Sequence, residues 1–170
     1  FYFMPVAILA IIIGRALDKY SVKNFMMIGA VIYAIGLFSL SFINSYWSLL
    51  TIYLTILALG SIMMGNLAVS KLIANWFDKN AGRALGIAAI GISFSGVMLP
   101  LIVDPLLELV GWRNVYVIFA SIVFFIILPL VFFTVIDDPK AVNQVKDGVK
   151  KDYKEEFIPE EMTAKDLLSK

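Results

Sequence analysis

Four stretches of this chain, Phe25 to Ile43, Leu49 to Ser70, Ala84 to Val103 and Asn114 to Ile136, contain no Asp, Glu, Lys or Arg. Each is close to the roughly 20 residues that a helix, rising about 1.5 Å per residue, needs to cross ~30 Å of hydrocarbon. Helices of a soluble core rarely run so far without a charge. In lipid the absence is demanded, because an ionised side chain at mid-depth costs about 2.5–3.5 kcal/mol even on insertion scales. The chain is 61% apolar, against about 45–50% for a soluble domain, and the excess sits in these runs. The expected fold class is therefore all-α and integral to the membrane, a helical bundle over residues 1–136. Phe1 to Ile13 is a further apolar run. It is shorter than the ~17 residues of a minimal span and lacks the charged front end and cleavage site of a signal peptide. It is expected to be the end of a helix that starts upstream.

Charge sets the expected orientation. Of the 14 Lys and Arg residues, all but Arg113 fall in loops 14–24 and 71–83 or after Ile136. Loop parity puts those segments on one face, and the positive-inside rule makes it cytoplasmic. The loops Asn44 to Ser48 and Asp104 to Arg113 are then external. Tyr46, Trp47, Trp76, Trp112 and Tyr116 fall near span ends, where interfacial aromatic belts form. Plasma or inner membrane is the expected location. From Asp137 the composition turns to Lys, Asp, Glu and Pro, which cannot bury apolar area. Residues 137–170 read as a cytoplasmic linker, with a short helix near 163–170 capped by Thr163 and Asp166.

The residue inventory excludes most chemistry. Cysteine and histidine are absent, which removes thiolate nucleophiles, the commonest general base and the commonest metal ligands. Asp104 and Glu108 are acids at helical spacing, but beside a loop they read as solvated charges or as a cap near Pro105. No catalytic residue, metal site, cofactor or nucleic-acid partner is expected; the partners are the lipid bilayer and a small molecule. Polar groups inside spans, Tyr53, Thr55, Ser61, Asn66 and Ser93, are the candidates for lining a cavity, although such groups commonly bond to a neighbouring helix. Gly82, Gly86, Ala89, Ser93, Gly96 and Pro100 recur at three- and four-residue spacing, one stripe of a helix. Small residues on a stripe let another helix backbone approach closely. Ser61, Gly65 and Ala68 make a shorter stripe on the preceding span.

Two motifs carry a resemblance. GRALDKYSVK, with Gly14, Asp18, Lys19 and Lys23, resembles the cytoplasmic loop between helices two and three of major facilitator superfamily transporters. Ser21 stands where that family usually has a second glycine. WFDKNAGRALGIAAIG resembles the entry to helix five in the monocarboxylate and oxalate/formate-type group, through Trp76, Phe77, Lys79, Ala84, Gly86, Ala88 and Gly91. Asn80 and Ala81 replace two bases of that pattern and Arg83 replaces a leucine. Gly111-Trp112-Arg113 and a linker with Asp-Asp-Pro are similar to that group as well.

The resemblance implies that Phe1 to Ile13 ends helix two, that the four spans are helices three to six of a twelve-helix fold, and that the tail is the central loop. Helix one and the whole C-terminal half would lie outside these residues, with substrate bound between the halves. It also implies a cytoplasmic gate or latch, for which Gly14, Asp18, Lys19, Lys23, Asp78, Lys79 and Arg83 are the expected residues. The expected function is secondary transport by alternating access, as symporter or antiporter, of a small organic anion such as a mono- or dicarboxylate. The segment alone is not expected to transport, because alternating access needs two repeats. The alternatives are uptake or efflux of drugs or other metabolites on the same fold, and a non-transporting membrane scaffold.

Overall fold

The computed structural model describes Ile13, Gly14, Leu17, residues 20–142 and residues 144–146. The described residues form helices and no strand. α1 spans Val22–Leu40. It starts where Ser21 takes the N-cap position and its hydroxyl oxygen accepts the Asn24 N–H at 3.3 Å, satisfying one of the donors that every helix start leaves open. The next rod is α2 at Tyr46–Ile52, a π-helical turn at Tyr53–Leu57 and α3 at Ala58–Met64. Gly65 then leaves helical geometry, with φ −86° and ψ −153°, and α4 resumes at Asn66–Trp76.

α5 follows as Ala81–Ile122, continued by a π-helical turn at Val123–Ile127 and α6 at Leu128–Thr134. This apolar run of 54 residues would measure about 80 Å as one rod, more than twice the ~30 Å core. It is not one rod. Gly111, with φ 75° and ψ 159°, breaks it. Residue 136 lies beside Trp76 and residue 137 beside Ser21, while Arg113 lies beside Ile43 and Asn44. The 112–134 portion therefore runs antiparallel to α1, and the chain crosses twice between Ala81 and Thr134. The sequence suggested a ten-residue loop at 104–113. Instead the helix continues through Pro100 and Pro105 and the reversal is confined to Gly111. A proline costs the helix one donor, while the Gly111 backbone pair is in practice open only to glycine. Gly111→Ala is expected to destabilise the protein by about 1–3 kcal/mol, visible as a lowered thermal midpoint in detergent. An unchanged midpoint would mean that the turn relaxes without strain.

Among the described residues three clusters of buried residues make the core, the smallest of them Ile13, Ile62 and Met63. Ala30, Ala34, Leu37, Leu57, Ala120 and Val123 meet in one; Leu17, Val22, Met26, Ala68, Val131 and Val135 meet in another. Without a hydrophobic drive between helices in lipid, close approach does the work, and here it is α1 against α3. A Cβ added at Gly60 would lie 2.8 Å from the Tyr33 backbone nitrogen, and one added at Gly29 would lie 2.7 Å from the Met63 Cβ. The small-residue stripe of α5 lies elsewhere. Gly82, Gly86, Ala89, Ser93, Gly96 and Pro100 are exposed, and an added Cβ at Gly82, Gly86 or Gly96 meets nothing within 4 Å among the described residues.

At their ends the helices depart from the expected segments. α1 begins three residues before Phe25 because its first turn is capped. Asp137, placed by composition in a free linker, is half-buried and bonded to the bundle. Pro139–Val142 forms a 3₁₀ turn. Residues 1–12, and the short helix expected near 163–170, lie outside the described residues.

Candidate functional site

The densest polar constellation sits where the last span ends. The Ser21 hydroxyl donates to Oδ2 of Asp137, and the Lys23 backbone N–H donates to Oδ1 at 2.7 Å. A carboxylate over a helix start satisfies open N–H groups and meets the positive end of the helix dipole. The same short segment is held from a second side. Asn75 Nδ2 donates to the Asp137 carbonyl at 3.0 Å and the Trp76 indole Nε1 donates to the Ile136 carbonyl at 2.7 Å. Those carbonyls follow the last helical residues and would otherwise be unpaired in the interfacial zone. One dipeptide, Ile136-Asp137, thus ties together the start of α1, the end of α4 and the end of α6.

Around this clasp the remaining charges have separate places. Lys71 Nζ donates to the Leu17 carbonyl at 2.5 Å, tying Leu17 to α4. The Lys23 ammonium lies 4.8 Å from the centre of the Phe132 ring, a cation–π arrangement. Asp78 faces Lys146 at 4.0 Å with both side chains substantially exposed, a pair worth little in solvent. Lys79 and Arg83 are exposed. Of the described residues expected at the latch, Lys23 lies beside Phe132 and Asp78 beside Lys146. Gly14 is described and helical, while Asp18 and Lys19 lie outside the described residues. The clasp itself was not anticipated. An acid directly after an apolar span and an indole donor at a span end were visible signals, but nothing local pairs positions 60 or more residues apart.

A second feature lies deeper. The break at Gly65 is 11 residues from Trp76, about 16 Å along a helix and so near mid-depth of a ~30 Å core. Asn66, directly after it, is exposed. On the other side of the break the Ser61 hydroxyl donates to the Ala58 carbonyl at 2.9 Å. Tyr53 sits in the π-helical turn. The Ser93 hydroxyl donates back to Ala89 at 3.2 Å on the exposed stripe of α5. Tyr53 and Ser61 lie on one rod, Asn66 starts α4 just past the break, and Ser93 lies on α5.

Residues 1–167 match the family described as Major Facilitator Superfamily. Among curated proteins, the chain is 30% identical over 118 residues to "MFS-type transporter 1" of Ophiocordyceps, covering 69% of this chain and 26% of that protein. It is 30% identical over 94 residues to "Riboflavin transporter MCH5" of Saccharomyces cerevisiae, 54% of this chain and 17% of the relative. It is 25% identical over 152 residues to "Uncharacterized MFS-type transporter YcxA" of Bacillus subtilis, 89% of this chain and 36% of the relative. The chain thus spans between about a sixth and a third of the length of these relatives. No solved structure matches significantly.

Proposed function

We propose that this chain, which belongs to the Major Facilitator Superfamily and is part of a multi-pass membrane protein, forms one rocking unit of a secondary transporter. The observation that carries this reading is the Asp137 clasp. Alternating access proceeds largely by rigid-body rocking of one bundle against another, and a bundle rocks as a body only if its helix ends are tied. Four hydrogen bonds on Ile136-Asp137 tie three of them. By the positive-inside rule this end is read as cytoplasmic, and Lys71 holds Leu17 beside it. In this reading Gly14, Asp18, Lys19 and Lys23 latch onto the other half of the protein, with Asp78, Lys79 and Arg83 on the same face.

Substrate contact is assigned to the discontinuity at Gly65, with Ser61 and Asn66 on its two sides. Interrupted helices at mid-depth are where transporters expose backbone groups to cargo. The cargo is read as a small organic anion, from the motif at Trp76 to Gly91. No span here contains a Lys or Arg, so the cation that such a substrate requires falls to the rest of the protein. A second reading, transport of other metabolites, is favoured by the riboflavin transporter among the relatives.

Counterflow in proteoliposomes holding the full-length protein separates the two. Accumulation of labelled lactate, oxalate or formate against internal unlabelled carboxylate is expected, with Asn66→Ala lowering it several-fold. Counterflow of riboflavin without that of any carboxylate would replace the first reading by the second. Failure of every small solute would count against both.

A further inference from the structure

The end of the bundle opposite the clasp carries a different arrangement, which the transport reading does not use. Arg113 is the single cation of the 104–113 segment, and one Nη donates to the Ile43 carbonyl at 3.1 Å and to the Asn44 side-chain oxygen at 3.0 Å. Its guanidinium stacks on the Trp112 ring, 4.3 Å from the ring centre. One of its nitrogens is so engaged among the described residues, and the group is held in place. It borders a cavity of about 390 Å³ that Ser41, Asn44 and Asn114 also line. Among the described residues no carboxylate lines it. The Asn114 amide spends one N–H on the Val110 carbonyl at 2.8 Å and keeps a second.

A second cavity of about 300 Å³ continues along the same seam. It is lined by Ala34, Ile35, Phe38, Ser121, Phe124 and Phe125 among others. Ile35 and Phe38 are three residues apart on α1, with Phe42 four further on in the turn just past its end, and Arg113, Val117, Ser121 and Phe125 are four apart on the last span. The last-span set is one stripe of its helix, and the Ile35–Phe38 stripe leads up to Phe42 at the end of α1, so the two cavities are stacked, polar above apolar. From Arg113 to Phe125 the helix descends about 18 Å, slightly more than half of the ~30 Å core. The Ser121 hydroxyl is turned back to the Val117 carbonyl at 2.8 Å, leaving the lower cavity apolar.

We propose that this seam binds an anionic glycerophospholipid of the adjoining leaflet, its phosphate against Arg113 and the two asparagines and an acyl chain in the groove below. Guanidinium recognises phosphate by charge-assisted hydrogen bonds. An apolar groove one leaflet deep fits an acyl chain, and a free anion has no use for it. A headgroup bearing its own ammonium finds no carboxylate to meet it, which favours the net-anionic lipid. By the charge count this is the external leaflet.

Native mass spectrometry of the full-length protein, extracted from vesicles of mixed phosphatidylglycerol and phosphatidylcholine, reads the site. Retention of one phosphatidylglycerol in preference to phosphatidylcholine is expected. Arg113→Ala should lower that retention about tenfold, on the scale of one charge-assisted bond, with partial rescue in Arg113→Lys. Arg113 also ties the 41–45 loop, so Ser121→Trp is the independent variant. It fills the groove, leaves Arg113 untouched and should lower retention likewise. Equal retention of both lipids, equal retention in wild type and Ser121→Trp, or full displacement by inorganic phosphate would each overturn the proposal. So would a wild-type protein that holds no lipid, since another helix of the protein would then occupy the seam.

Discussion

Alanine at position 137 is expected to lower the stability of the full-length protein by about 1–3 kcal/mol and to reduce its transport rate. The variant strips the Ser21 hydroxyl and the Lys23 N–H of their acceptor at a half-buried helix start. Loss of a helix cap alone costs about 0.5–2 kcal/mol, and hydrogen bonds to a charged group are worth about 1.5–3 kcal/mol each. The two ranges overlap because the same bonds are counted in both. Asp137→Asn should fall between wild type and alanine: the amide oxygen still accepts one bond, without the charge that suits the helix dipole. Thermal melting in detergent orders the three proteins. A midpoint in Asp137→Ala equal to that of wild type would show that the clasp contributes nothing. The bonds from Asn75 and Trp76 run to backbone carbonyls, so they survive in both variants. Their persistence confines the loss to the α1 side.

The second large effect is expected at Gly60. Any side chain there meets the Tyr33 backbone, with the nitrogen at 2.8 Å and Cα at 2.9 Å from an added Cβ. Backbone cannot rotate away as a side-chain tip can, so α1 and α3 must separate. Overpacking of this kind costs about 1–3 kcal/mol. Gly60→Ala is expected near the lower end, and Gly60→Leu to exceed it and to drive aggregation on extraction. Size-exclusion profiles and thermal midpoints of the full-length variants check the gradation. Indifference to both substitutions would mean that the crossing is looser than the helix positions imply.

Much of the fold was legible because lipid imposes a simple rule. Spans free of charge must be helices, and these are, so the all-helical membrane class followed from where Asp, Glu, Lys and Arg are absent. The family followed from two loops whose residues are spaced for a task. What stayed hidden depended on contacts between distant positions. The stripe on α5 has the periodicity of a packing face, yet the tight crossing uses Gly29 and Gly36, a single pair seven residues apart on α1, against the 57–63 stretch with Gly60. The span was read as ending at Val103 with a loop to Arg113, but the helix runs on through Pro105 and the reversal comes at Gly111, where only the backbone angles reveal it.

Asp137 began an acidic stretch and so looked solvated. Its role is set by Ser21, a departure from the family's usual glycine that supplies both a cap and a donor. Of the latch residues, Asp18 and Lys19 fall outside the described residues, while Lys23 lies beside Phe132 and Asp78 beside Lys146. Pairings of that kind are set by which helix ends meet, a matter of topology that local sequence does not encode.

The central claim, that these spans move as one body tied at Asp137, has a direct measurement. Asn24 on α1 and Ala74 on α4 are exposed, and this chain has no cysteine of its own. Spin labels on cysteines at those two positions, in the full-length protein with its other cysteines removed, report the separation of two helix ends that the clasp joins. Double electron–electron resonance with and without transported substrate should give one narrow distance distribution that does not move, and a broadened one in Asp137→Ala. A shift of several ångströms on adding substrate to the protein with Asp137 intact would contradict the account, because the clasp would then open during the cycle.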